Sequence, residues 1–423
     1  MTSIKRTVIG LTVLLSVVCF IYFGRSSHVK SLFCESSSLS LDKDSERESL
    51  FPISVDNLWG FIDTGGSVVI KPEFKAVGRF SEGLAAFKSV YDGRWGYIDL
   101  EGEVVIAPTL DAAGSFFESR AVVTINGFQG AIDKNGKFIV EPFYERVQSF
   151  SEGRAFVMRG KRWRMIDREG RYVTQDTFVQ ANTFRENLAS FTGLNNDYGL
   201  SGYLNRVGEV EILLEDDTFV NIEGLGFSYG RASVSRRRPT TLLDYVRFLE
   251  WGELAYGLID HSGEIVVPIA YEFVGVSSEC MATVSQGDRY GAIDLEGNQL
   301  IPIKYSYIGR FSEGLAIAQR RTGDKYGYID RQGKFVIRPI QTITGRPFLP
   351  AIERTFHRGR AVFQEDNGKF GYIDATGDVV IKPVFETVSP FREELAKFED
   401  TKGWGYIDAS GKIIWHSVWT SVQ

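Results

Sequence analysis

The sequence predicts an all-β protein built from about ten antiparallel three-stranded units of roughly 34 residues, preceded by an N-terminal hydrophobic helix. Three observations carry this reading. A pentad of the form Trp59-Gly60-Phe61-Ile62-Asp63 recurs along the chain, ending at Asp99, Asp133, Asp167, Asn205, Asp260, Asp294, Asp330, Asp374 and Asp408. A glycine stands three residues beyond every one of these ten ends, from Gly66 to Gly411. The flanking segments, such as Val68-Val69-Ile70 and Val379-Val380-Ile381, are β-branched, as strands prefer.

The first element is not part of the repeat. Val8 to Gly24 is an unbroken run of apolar or small residues, with Lys5 and Arg6 before it and Arg25 after it. Its length as a helix, roughly 26 Å, reaches the short end of a bilayer core. Bulky Phe20, Ile21, Tyr22 and Phe23 make a poor cleavage site, so residues 1–24 read as a retained signal anchor, with a cleaved signal peptide as the alternative. The positive residues place the N-terminus in the cytoplasm and the remainder outside it, in the periplasm or at the cell surface. Cleavage would make the protein secreted. Residues 25–49 are Ser-rich and charged, hence a solvated tether.

Residues 50–423 form the array. Within one unit, Asp-x-x-Gly is turn chemistry, with the carboxylate capping the turn and the glycine in the left-handed conformation. Seven units then carry a proline, from Pro72 to Pro383, which reads as the close of the strand because proline cannot donate to a ladder. A second punctuation follows, Phe80-Ser81-Glu82-Gly83, echoed at Phe150-Ser151-Glu152-Gly153 and Phe311-Ser312-Glu313-Gly314. A third strand such as Leu84-Ala85-Ala86-Phe87 leads to the next pentad. Period two puts Trp59 and Phe61 on one face and Gly60 and Ile62 on the other, so both faces are apolar and each sheet is expected to have a neighbour on each side. The glycine before each Ile-Asp pair would permit that close approach.

These residues resemble the WG-repeat (KWG-repeat) family of bacterial proteins, over roughly residues 50–418. The resemblance implies an all-β repeat protein, mostly without assigned activity, treated as a binding or scaffold module, and it brings no catalytic residue; the anchor is what points to the bacterial cell envelope. The pattern departs at Gln129 and Ser201, where the aromatic is missing, at Arg164 in place of glycine, and in the fourth and fifth units, which lack the proline. A β-propeller-like array is the expected arrangement. Propellers usually have about 4–8 blades, so an open β-solenoid or superhelix stands as the alternative.

Composition excludes several classes. The chain of 423 residues has a net charge of −6, 24% charged and 43% hydrophobic side chains and three cysteines, unlike a disordered chain, a disulfide scaffold or a polytopic membrane protein. Its acidic balance argues against nucleic acid as a partner. The four histidines show no metal-ligand spacing, and neither a nucleophile elbow nor a phosphate loop occurs, so no catalytic residue, metal or cofactor is expected. An unpaired Cys280 is expected, with a Cys34–Cys280 disulfide as the alternative. The aromatic column four residues before the acid reads as inter-sheet core, with a sugar-stacking ladder as the other reading.

What remains is the interruption at Ser235–Ala255, about twenty residues beyond the period. It joins Arg236, Arg237 and Arg238 to an apolar stretch with Phe248 and Trp251. It reads either as a docking element for an acidic partner or the membrane surface, or as a capping helix over the irregular units. A second interruption, Ile340–Arg354, reads as a packed Ω-type loop. The function expected is a membrane-tethered, extracytoplasmic scaffold for another protein. An envelope glycan binder and a propeller-type hydrolase are the alternatives.

Overall fold

The computed structural model describes residues 49–195, 197–214, 218–220, 226–237, 254–275, 278–341 and 354–418. The expected anchor, most of the tether and the body of both interruptions lie outside these residues.

The ten units form antiparallel meanders of four strands in most cases, with one strand more than the sequence suggests. The extra strand is borrowed. Val68–Phe74 ends the first sheet, and after Lys75 the same chain continues as Ala76–Val77, which pairs with Phe87 and Lys88 of the second sheet. The same one-residue crossover recurs at Glu145, Glu272, Ser306 and Glu386.

The Asp-x-x-Gly expectation holds in all ten units. Asp63 Oδ1 accepts from the N–H groups of Gly65 at 2.9 Å and Ser67 at 2.8 Å, and Gly66 has φ +89°. Asn205, the one amide, makes the same pair of bonds to Val207 and Glu209.

The prolines do not close their strands. Pro72 lies inside Val68–Phe74, where the pairing with Leu58–Ile62 slips between Trp59↔Phe74 and Phe61↔Ile70. Proline is tolerated at such a bulge because no ladder donor is needed there. The bulge also explains the pentad glycine, and corrects the expectation that it serves the neighbouring sheet. A Cβ at Gly60 would lie 2.4 Å from Ile70 O and 2.6 Å from Pro72 N, both in its own sheet. The unit with Arg164 in place of glycine lacks that crossing strand. Beyond Tyr172 its chain runs on to Phe178–Ala181, which pairs with Trp163 on one side and Leu188–Leu194 on the other. The fourth and fifth units therefore share one seven-stranded sheet.

Both faces of each sheet are buried, as the alternation predicts. Phe61 packs in a cluster with Ala85, Phe87 and Ile98 of the second unit, while Ile62 joins Leu395, Trp404 and Tyr406 of the tenth. This last cluster unites the first and final units. The Tyr406 hydroxyl donates to Pro52 O at 3.0 Å, and Trp59 lies 5.9 Å from Trp404.

Candidate functional site

The repeat's polar residues have structural partners. Ser81 Oγ donates to Phe116 O, 35 residues ahead, at 2.6 Å, and Ser151 and Ser312 make equivalent bonds to Phe184 O and Phe356 O. The next residue, Glu82, accepts from the Ser119 N–H at 2.9 Å. Glu118, Glu152, Glu186, Glu279 and Glu313 each accept an N–H from the following unit in the same way. The Phe-Ser-Glu-Gly punctuation is thus a ladder from unit to unit. Its phenylalanines pack at an angle on the aromatic residue two before the acid of the preceding unit, tilted in Phe61–Phe80 and edgewise in Tyr97–Phe116, both at 4.9 Å.

The aromatic column four residues before the acid packs against the inter-sheet clusters. Trp95, Trp163, Tyr256, Tyr290, Tyr326 and Phe370 are half-buried there, and Trp404 is buried. His261 Nε2 lies 3.4 Å from Glu186 and stacks on Phe227. His416 Nε2 lies 3.2 Å from Asp400, which also accepts from the N–H groups of Lys402 and Gly403. Among the described residues no group of three or more His, Cys, Asp or Glu could hold a metal ion, and no helix is long and apolar enough to cross a membrane.

The strands that flank the large interruption are regular. Ala232–Arg237 pairs with Leu254–Ile259, with Arg236 opposite Ala255 and Arg237 opposite Leu254, so residues 238–253 connect two strands of the sixth unit. The half-buried Arg236 is held in the sheet, since its Nε and Nη2 donate to Thr218 Oγ1 at 3.0 and 2.9 Å. Arg237 occupies the last position of its strand. Arg238, Phe248 and Trp251 lie outside the described residues. Cys280 corrects the free-thiol expectation. It is disulfide-bonded, with φ +60°, at the position that glycine holds in Phe-Ser-Glu-Gly. Cys19 and Cys34 lie outside the described residues.

One cleft stands outside the repeat logic. Between the seventh and eighth units a cavity of about 620 Å³ is lined by Arg289, Lys304, Tyr305, Arg320, Arg321, Gly333, Lys334 and Phe335. The five cations are exposed and Tyr305 is buried. No run of basic residues announces this cluster, because its members are scattered over 46 positions of the sequence.

The family model described as WG containing repeat matches residues 59–89, 95–127, 130–163, 256–290, 290–321, 326–340 and 370–400. The chain belongs to this family. The stretch between 163 and 256, unmatched, contains the later strands of the shared sheet, from Phe178 to Leu213, and the large interruption. A comparison with curated proteins finds no match to the WG-repeat chain. Among solved structures it is similar to a eukaryotic initiation factor, with 11% identity over 88% of this chain and 95% of that one and a TM-score of 0.43. It is also similar to BamB from Moraxella catarrhalis, with 12% identity over 69% and 93% and a TM-score of 0.32. The Pan2 WD40 domain of Neurospora crassa is a third, with 12% identity over 67% and 90% and a TM-score of 0.28.

Proposed function

We propose that this WG-repeat protein is a non-catalytic binding scaffold for another protein, held outside the cytoplasm by residues 8–24, its repeats forming a propeller-like ring. The carrying observation is that the recurring polar chemistry is engaged inside the fold. Ten turn caps and six glutamate links have backbone partners, which leaves a rigid frame into which residues 238–253 are inserted in sequence. Loops mounted on such frames are where recognition concentrates. The cluster shared by the first and tenth units supports the ring, and the disulfide at Cys280 supports an oxidising compartment.

Glycan binding would draw on open ring faces, whereas the aromatic column packs against the sheet interfaces. A hydrolase would draw on a converging nucleophile and base, whereas His261 sits on the turn of the sixth unit and His416 in the last strand of the tenth. Both observations favour the scaffold. The test is affinity capture from the native envelope with the full chain and with a variant in which an Asn-Gly turn replaces residues 238–253. The variant is expected to lose the captured protein while keeping its melting temperature. Undiminished capture would remove the interruption from the proposal.

A further inference from the structure

The basic cleft between the seventh and eighth units is the strongest unexplained feature. We propose that it is a binding site for a phosphorylated small molecule of sugar-phosphate size, bearing at least two phosphate groups. Comparison with the other units shows that the clustering is not inherited from the repeat. Arg94 and Lys369 occupy the position five before the acid, and each pairs with an acid 17 residues on, Asp111 and Glu386. Arg289 is their counterpart, and the residue 17 on is Ser306, so that counter-charge is missing. Lys304 stands ten beyond the acid, where other units carry Glu73, Thr109, Phe143, Ala270 or Val384.

None of the eight lining residues is acidic, and none of the five cations has an ion pair among the described residues. Burial raises the Tyr305 hydroxyl's pKa, against the lowering effect of Arg320, and nearby Asp330 adds a smaller rise. Its Oδ1 already accepts from the N–H groups of Gln332 and Lys334 at 3.0 and 2.8 Å. Asp324 Oδ2 likewise accepts the Arg321 backbone N–H at 3.1 Å, so the nearby acids engage main-chain donors. Five cationic side chains around one cavity repel one another, and an oxyanion relieves that repulsion while taking forked bonds from three arginines.

The cleft's shape and rings narrow the ligand class. A volume of about 620 Å³ is of small-molecule size and exceeds the needs of a lone ion. Arg320 lies over the Phe335 ring, 5.3 Å from its centroid, and Lys304 over Tyr305 at 5.4 Å. The ring faces are therefore occupied by cations, which disfavours stacking of a neutral sugar. The Tyr305 hydroxyl donates to Gly333 O, tying the two units together at the cleft floor.

The site is independent of the scaffold reading, and its test needs no captured protein. Titration of the full chain with inorganic tripolyphosphate should give saturable binding that weakens with added salt, with acetate at equal ionic strength as the control. Arg289→Gln combined with Arg320→Gln should weaken tripolyphosphate by at least about tenfold. Lys71→Gln combined with Lys382→Gln, on other units, should leave affinity unchanged. The ligand should raise the melting temperature of the parent more than that of the cleft variant. Absence of saturable binding, or equal affinity in the two double variants, would overturn the proposal. Inorganic phosphate binding as tightly as tripolyphosphate would overturn the requirement for a second phosphate group.

Discussion

Glycines in this chain do two separable jobs, and substitution distinguishes them. Gly83 has φ +84°, and a Cβ added there would meet nothing within 4 Å, so its role is conformational. Gly96 is packed, since a Cβ there would lie 2.4 Å from Ile106 O and 2.9 Å from Phe87 Cε1. Gly83→Ala should cost about 1–2 kcal/mol through left-handed strain alone. Gly96→Ala forces a strand or ring to move and should cost about 1–3 kcal/mol, with a broader loss of amide protection across its sheet. Thermal unfolding with hydrogen exchange separates the two. The turn acids make a second prediction. For Asp374, the Thr376 hydroxyl, against a smaller desolvation cost, and the N–H groups of Asp378 and Thr376 hold the carboxyl below the usual range. For Asp408, desolvation pushes upward but is outweighed by the Ser410 hydroxyl and the Lys412 and Ser410 N–H groups. A folded pKa below the unfolded one means this stabilisation is present above the unfolded value, about 3.9, and is lost as pH falls through the folded value. Asn205 shows that an amide can cap the same turn without titrating. Asp374→Asn with Asp408→Asn should therefore fold at neutral pH and show a shallower loss of melting temperature between about pH 4 and 2. An unchanged acid slope would assign the effect to other groups.

At the scale of the element, the local grammar is legible in the sequence and the partners are not. Asp-x-x-Gly declares its own turn, because capping residue and left-handed glycine lie within four positions of each other. Phe-Ser-Glu-Gly is visible as a recurrence, yet its partner lies a full period ahead, and no local pattern reports that distance. The bulge is hidden for the same reason, since a proline near a strand's end looks alike whether it stops the strand or sits opposite a glycine. Arg164 is a readable signal, and losing the pentad glycine there coincides with losing the crossing strand. The cleft is concealed because its five cations come from five different repeat positions. Aligning the units and looking for the odd charge, Lys304 above all, is the reading that finds it. The glutamate ladder can be tested by addition as well as by loss. Glu152→Ala should cost about 1 kcal/mol by freeing the Asn187 N–H. In the ninth unit Arg358 stands where the ladder has glutamate, already with φ +52°, and Arg358→Glu should stabilise by up to about 1 kcal/mol by supplying an acceptor to the Glu394 N–H. A lower melting temperature for Arg358→Glu would show that the link depends on more than the acceptor.

For the whole array, the decisive contact is between its ends. Ten units in an open row have nine interfaces, whereas the shared cluster of Phe51, Ile53 and Ile62 with Leu395, Trp404 and Tyr406 adds a tenth. The sequence could not reveal it, because these residues are of the same types as those at every internal interface. Closure changes how damage spreads. At the end of an open row, a lost side chain frays one terminal unit, because each repeat touches only its neighbours. In a closed series the same loss frees two units at once, the first and the tenth. Burial pushes the Tyr406 pKa up to about 12, so its hydroxyl remains a donor to Pro52 O throughout the neutral range. Tyr406→Phe should cost about 1 kcal/mol, and Trp404→Ala about 3–5 kcal/mol by emptying the site against Trp59 and Trp415. Hydrogen exchange on Trp404→Ala supplies the sharper readout. Protection should fall together in residues 51–62 and 395–415, which lie more than 330 positions apart in sequence but share this cluster. Loss confined to 395–415 would mean that the end units do not support each other.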